Sequence, residues 1–399
     1  MATVTLGERL EQVNALAPQI LAGGDQAQEM RRLPDDIVST LVDEGFFRFA
    51  LPEALGGDDA SSMDTVEILE AIAAVDASVA WNVMLGSEIN AMAAGGMDPA
   101  IAEEIYLENP RVIMCGGGGP GSTPPRAERT EDGGVRVWGQ STFISGCHNA
   151  DWCFMAAPIM RGDEPELDDA GNPVAKMWFL PRDQWEIVDT WDVAGLRGSG
   201  SNDVRAEGAY VKPEHLGVEL VTVPPQHENP VYRIPVPLRL SYNKVAIALG
   251  VARGMLGAFA DLAQDKVPML SASTLKHRPV AQYRMGEAMA RYRAARAYVL
   301  DAMTKVEAEL AAGAARPGPE VTENARLACV FGANECMTLV DSLHNAAGTS
   351  GMRMYSPLER KLRDAHACAT HRWVSHPLYE NLGKIYLGHD AEPEFAGLT

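Results

Sequence analysis

The chain has no run of lysine or arginine: across 399 residues, 34 basic side chains face 54 acidic ones, a formal charge of −20. Tracking a phosphate backbone needs a basic stripe, so this balance argues against a nucleic-acid partner. The six cysteines, at 115, 147, 153, 329, 336 and 368, include no C-x-x-C pair and no zinc-like spacing, which points to reduced, buried thiols and no metal site. Long apolar runs are missing too. Val245 to Leu256 is interrupted by Gly250, Arg253 and Gly254, short of the roughly 20 residues that span a bilayer, so no membrane association is expected. The N-terminus carries no secretory-signal pattern, and a cytoplasmic location is the expectation. No G-x-S-x-G, Walker A or H-E-x-x-H motif occurs, and no repeat of 20 to 50 residues is visible.

What is present divides into three textures. From Gly7 to about Leu107 the spacing is helical, with Pro34 at a helix start and Asp35 and Asp36 in the first turn. The Phe46 to Gly57 segment breaks this pattern and reads as briefly extended before a helix restarts at Met63. Short β-branched and aromatic stretches follow: Val135–Trp138, Trp152–Pro158, Val174–Leu180, Trp185–Val188 and Val204–Val211. The acidic segment from Gly162 to Asn172 reads as a solvated hairpin loop, and a proline-rich junction covers 223–237. Helical spacing then returns. Met285, Met289, Tyr292, Val299, Met303, Val306 and Leu310 form a packing seam interrupted where Arg296 stands. Cys329 and Cys336 share one helix face, which suits burial in another seam. These textures predict an α+β, mostly α chain: a helical domain over 1–110, a central β-barrel or sandwich over 111–230, and a C-terminal four-helix bundle over 231–399.

Two segments in the β region carry the chemistry. Val137 to Trp152 reads as a strand, a tight turn at Ser145-Gly146 and a second strand, with small hydroxyl residues and glycines where something flat could approach the backbone. Trp191 to Asp203 surrounds Arg197 with glycines and serines, including Gly198 and Ser199. Many N–H donors beside one fixed cation suit a ring system that gathers negative charge on reduction, and together the segments point to a flavin site. Taken singly, Ser145 would be an ordinary turn residue and Arg197 an ion-pair arginine. His366 and His371, five apart, point from different helix faces and do not share a metal. Gly116 to Gly121 matches G-x-G-x-x-G in form, but the prolines at 120, 124 and 125 prevent the helix that a dinucleotide fingerprint requires.

The order of domains and both motifs resemble the acyl-CoA dehydrogenase superfamily over nearly the whole chain. Thr142-Phe143-Ile144-Ser145 looks like the strand that lies along the flavin there, and Gly195-Leu-Arg-Gly-Ser199 like the family's Gly-(Leu/Ile/Met)-Arg-Gly-(Ser/Thr) turn. The resemblance implies that Phe143 packs near the isoalloxazine and that Ser145 and Gly146 meet its polar edge. It also implies that Arg197, Gly198 and Ser199 border the cofactor, and that the Pro120 to Arg126 loop lies near it. Ala347-Gly-Thr-Ser-Gly351, Ser356-Pro-Leu-Glu-Arg360 and Arg363-Asp to His371 resemble the reduced-flavin-dependent monooxygenase branch. That branch implies Gly348, Thr349 and Ser350 as further cofactor contacts, and His371, with Ser145, as a catalytic residue; His148 is a weaker candidate. It implies FAD or FMN, supplied reduced by a separate flavin reductase, a C4a-hydroperoxyflavin that hydroxylates a small aromatic or heterocyclic substrate, and a homotetramer. Some relatives carry a histidine on the helix after a tryptophan like Trp81, whereas Leu85 to Asn90 has none. The alternatives are an FAD-dependent acyl-CoA dehydrogenase with Glu380 as base, for which no carboxylate stands at Ser241-Tyr242-Asn243, and a non-catalytic flavoprotein scaffold.

Overall fold

The computed structural model describes residues 3–169, 171–215, 217–218 and 227–389; part of the proline-rich junction, 223–226, lies outside them. The N-terminal helices are α1 (Leu6–Met30), α2 (Asp35–Asp43), α3 (Ser62–Val75), α4 (Ala77–Gly96) and α5 (Pro99–Glu108). Reciprocal capping boxes, Thr5 with Glu8 and Ser61 with Asp64, start α1 and α3, satisfying N–H groups that would otherwise lack partners. α4 is buried along nearly its whole length, polar Asn82, Glu88 and Asn90 included, and packs against α1, α3, the strand at Met114–Gly116 and the helix at Val236–Asp265. The Phe46 to Gly57 segment is not extended. It runs through tight turns and a single 3-10 turn at Glu53–Leu55, because Phe46, Phe47 and Phe49 all turn inward while Arg48 donates to the carbonyls of Leu55, Gly56, Tyr106 and Pro110.

The central region holds β1 (Met114–Gly116), β2 (Arg126–Arg129), β3 (Val135–Ile144), β4 (Trp152–Pro158), β5 (Met160–Arg161), β6 (Glu164–Pro165), β7 (Ala175–Pro181), β8 (Glu186–Val188) and β9 (Asn202–Val211). One sheet runs β1-β4-β7 with β1 parallel to β4, a second runs β2-β3-β9-β8, and β5-β6 is an exposed hairpin. Val137, Met155, Trp178, Leu180, Val204 and Ala206 from the two larger sheets share one core. The glycine-rich stretch after β1 leads into loop and opens no helix, as its prolines require.

The C-terminal bundle comprises α6 (Val236–Asp265), α7 (Pro279–Ala311), α8 (Pro319–Ala347), α9 (Pro357–Ala369) and the short α10 (Leu378–Tyr386). α6 is long and apolar enough to cross a bilayer by length and composition, further than the interrupted run at Val245–Leu256 suggested. Its apolar residues are spent inside the protein, against α3, α8 and α9. On α7, Val299, Met303, Val306 and Leu310 are buried, with Met285, Met289 and Tyr292 half-covered. The break at Arg296 has a partner: its Nε donates at 2.8 Å to Glu70, a carboxylate buried in α3 that also accepts from the Tyr292 hydroxyl. Cys329 and Cys336 are both buried in α8.

Candidate functional site

The register of β3 against β9 slips between Ser141 and Ile144. This bulge lifts Thr142 and Phe143 out of the ladder and re-aims them. Phe143 has φ of +59°, a left-handed conformation costing about 1–3 kcal/mol for a side chain of this kind. It is 65% exposed, and its ring meets Trp191 edge-on at 6.1 Å. Gly118 is required beside it, since a Cβ there would lie 1.6 Å from the Thr142 carbonyl oxygen. Ser145, two residues on, is buried. Its Oγ accepts from the Trp81 indole N–H at 3.0 Å and lies 2.6 Å from Ser201 Oγ, which in turn lies 2.7 Å from Ser199 Oγ.

Residues 191–201 form a loop pinned from three sides. Gly195 lies so close to α9 that a Cβ would sit 2.1 Å from the Arg363 carbonyl oxygen. The Leu196 N–H donates to Asp364 at 2.7 Å, and Arg363 donates to the Ala194 carbonyl. Asn82 on α4 donates to the Gly198 carbonyl at 3.2 Å. The Ser356 to Asp364 motif therefore acts as scaffold: Arg360 pairs with Asp76, the N-cap of α4, at 2.7 Å. Burial, reinforced by the nearby Asp76 charge, pushes the Asp364 carboxyl up to about 6. Arg197 is engaged within the protein. Its Nε donates to the Gln28 carbonyl at 3.0 Å and a terminal nitrogen to the Val193 carbonyl at 2.8 Å, with Asp192 at 3.6 Å. Its guanidinium thus fastens the loop to α1.

His371 follows α9 and meets the Trp81 ring edge-on at 5.6 Å, so Trp81 joins the histidine to Ser145. Burial, with the charges of Lys244 and Arg372, pushes its imidazole down to about 3. The ring is neutral near pH 7. Nδ1 accepts from the Trp373 N–H at 3.4 Å, which leaves the proton on Nε2. His148 takes a different position, with Nε2 3.0 Å from Asn202 Nδ2, and burial lowers its pKa.

Gly348, Thr349 and Ser350 are not gathered here. They form a turn after α8 beside Lys266, which donates to the Ala347 carbonyl. Lys266 lies 22 residues along the chain from Lys244, about 33 Å at the helical rise. Glu380 is exposed and pairs with Lys384 at 3.0 Å. A carboxylate that the sequence pattern did not single out pairs with Lys244, whose charge acts on His371. Glu88, two turns after Trp81 on α4, is buried and accepts from Lys244 at 2.6 Å and from Asn243 at 2.5 Å. The available signal was a lysine inside the apolar α6, since a buried ammonium needs a carboxylate partner. Among the described residues no cluster of three or more metal-ligating side chains is found.

Around Phe143 and Ser145 the polar groups are neutral, serine hydroxyls and one indole N–H, with the neutral His371 imidazole against Trp81 and an exposed aromatic wall beside them. That chemistry fits a planar, polarisable ring with polar edge atoms, such as a flavin.

Sequence comparison gives the same direction. Residues 11–98 match the family described as acyl-CoA dehydrogenase, N-terminal domain, and residues 243–376 the one described as acyl-CoA dehydrogenase, C-terminal domain. The chain is 27% identical over 360 residues to an indole-3-acetate monooxygenase of Acinetobacter baumannii, covering 90% of this chain and 89% of that protein. It is 28% identical over 373 residues to the flavin-dependent monooxygenase oxygenase subunit HsaA of Mycobacterium tuberculosis, covering 91% and 90%. The crystal structure of 3-HSA hydroxylase from Rhodococcus sp. RHA1 superposes with a TM-score of 0.85 at 25% identity, covering 96% of this chain and 98% of that one.

Proposed function

The chain belongs to the acyl-CoA dehydrogenase superfamily, and from that premise we propose that it is the oxygenase component of a two-component flavin-dependent monooxygenase. It takes reduced flavin from a separate reductase and oxygenates a small aromatic or heterocyclic substrate. The observation that carries this reading is the state of the carboxylates. A dehydrogenase of this fold needs an ionised carboxylate free to remove an α-proton. Here Glu88 is held by Lys244 and Asn243 and Glu380 is exposed and paired with Lys384, while the titratable group against the Trp81 ring is a neutral histidine.

Bound reduced flavin supplies the electrons that activate dioxygen. Phe143, with Trp191 against its edge, gives the ring an apolar wall, and Ser145, oriented by Trp81 and Ser201, presents a hydroxyl to its polar edge. Neutral His371 donates from Nε2 without carrying charge into the pocket. Ser145 and Trp81 are buried, which limits water beside the serine hydroxyl and favours oxygen transfer over loss as hydrogen peroxide.

The same reading includes a homotetramer. Val267, Met269 and Leu270 stand 55%, 91% and 102% exposed beside the turn at Gly348, an apolar surface suited to a second copy. Gly348 to Ser350 would then serve the flavin of a neighbouring subunit. Six buried, unpaired cysteines suit a cytoplasmic setting.

The test mixes the protein anaerobically with photoreduced FMN or FAD, admits air with a panel of phenols and indoles, and quantifies oxygenated product and hydrogen peroxide. Oxygenated product approaching one equivalent per reduced flavin supports the proposal. Reduction of tightly held FAD by acyl-CoA thioesters, without oxygenation, would favour the dehydrogenase.

A further inference from the structure

Beneath the junction of α4 and α6 lies an internal cavity large enough for a water molecule. Two of its lining groups are buried and unsatisfied among the described residues: Nε of Arg239, a donor, and Oδ1 of Asn243, an acceptor. Arg239 is 7% exposed and Asn243 3%. A buried N–H and a buried carbonyl left without partners each cost about 1–3 kcal/mol, and one water between them removes both penalties. The orientation of the Asn243 amide is set from the other side, because its Nδ2 donates to Glu88, and a carboxylate accepts only from N–H or O–H. Glu88 in turn receives two contacts from Lys244 Nζ, at 2.6 and 2.9 Å.

The stretch of α6 that carries Lys244 packs against the segment following His371. Three residues earlier on α6, Ser241 donates at 2.9 Å to the carbonyl of Trp373, two residues beyond His371. One helical turn therefore carries the network from the cavity to the His371 pocket. The charged groups acting on His371 are Lys244 from α6 and Arg372 beside it in sequence, and both lower its proton affinity.

We propose that this cavity holds a resident water bridging Arg239 and Asn243, and that the network it completes, water to Asn243 to Glu88 to Lys244, fixes the Lys244 ammonium against the His371 pocket. Lys244, Glu88, Asn243 and Arg239 are positioning residues here. The inference rests on the proposed function only for its consequence in turnover. Its direct readouts use the flavin-free protein, so its failure is distinguishable from failure of the oxygenase reading.

Two measurements test it. A high-resolution crystal structure of the native chain should show density within hydrogen-bonding distance of both Arg239 Nε and Asn243 Oδ1; a dry cavity overturns the water site. Histidine NMR titration, with the His371 signal assigned by its loss in His371→Asn, should show proton affinity raised at least tenfold in Glu88→Gln/Lys244→Met relative to the native chain. Asn243→Leu, which leaves the ion pair in place but removes its amide anchor, should shift the same signal in the same direction and serves if the double variant fails to fold. An unchanged His371 titration in a folded variant overturns the positioning role.

Discussion

The Trp81 indole N–H donates to Ser145 Oγ at 3.0 Å, and this bond ties the N-terminal part of α4 to the end of β3. The same ring system meets His371 edge-on, so one tryptophan sets the relation between two candidate site residues from different domains. Trp81→Phe keeps most of the apolar contact and removes the donor. Ser145 retains Ser201, so the cost to stability is about 1 kcal/mol, read by urea unfolding. The functional effect should be larger: more hydrogen peroxide per reduced flavin consumed, because the Ser145 hydroxyl loses its orientation. Equal peroxide yields from Trp81→Phe and the native chain would remove Trp81 from the account.

Glu380 decides between the two flavin chemistries. It is exposed and pairs with Lys384 one turn away, an interaction worth about 0.3–0.5 kcal/mol. Glu380→Gln should leave oxygenated product yield within twofold and the melting temperature almost unchanged. Loss of turnover by two orders of magnitude would instead identify the glutamate as a base.

The strand, the turn at Ser145-Gly146 and the second strand from Trp152 were legible in the sequence because their signals are local: β-branched and aromatic runs and a Ser-Gly turn each leave a short signature. Roles set by tertiary partners were less legible. Arg197 reads as a ligand cation between glycines, yet the carbonyls that hold it belong partly to α1, 169 residues away. Glu88 and Lys244, 156 residues apart, carry no shared pattern, and only the oddity of a lysine in an apolar helix hints at them. The Phe46 to Gly57 segment, expected to be briefly extended, instead turns repeatedly so that Phe46, Phe47 and Phe49 all pack inward.

Assembly is testable through Leu270, which is fully exposed and held at φ of +61°, a costly conformation for an apolar side chain. Met269→Asp/Leu270→Asp should lower the mass measured by light scattering from that of a tetramer to that of smaller species. Far-ultraviolet circular dichroism should stay the same, since neither side chain contributes to the core. Reduced-flavin affinity should fall with the mass, because Gly348 to Ser350 would no longer reach a neighbour's site. An unchanged mass would place the subunit contact elsewhere.

Asp364 gives the fold a pH dependence whose sign follows from its burial. Its carboxyl is raised to about 6 in the folded chain, chiefly by burial and then by Asp76, against an ordinary value of 3.8. The folded state therefore holds a proton that the unfolded chain has released between those values. The contribution is fully present below about 4 and is lost as pH rises through about 6, for a total on the order of 3 kcal/mol. Asp364→Asn keeps an oxygen to accept from the Leu196 N–H and removes the titration. Unfolding free energies of the two chains, measured from pH 4.5 to 8, should diverge with rising pH, the native chain losing ground to Asp364→Asn and the difference levelling off above about pH 7. A constant difference across that range would mean that Asp364 is ionised throughout, with its negative charge held by Arg360 and the Leu196 amide.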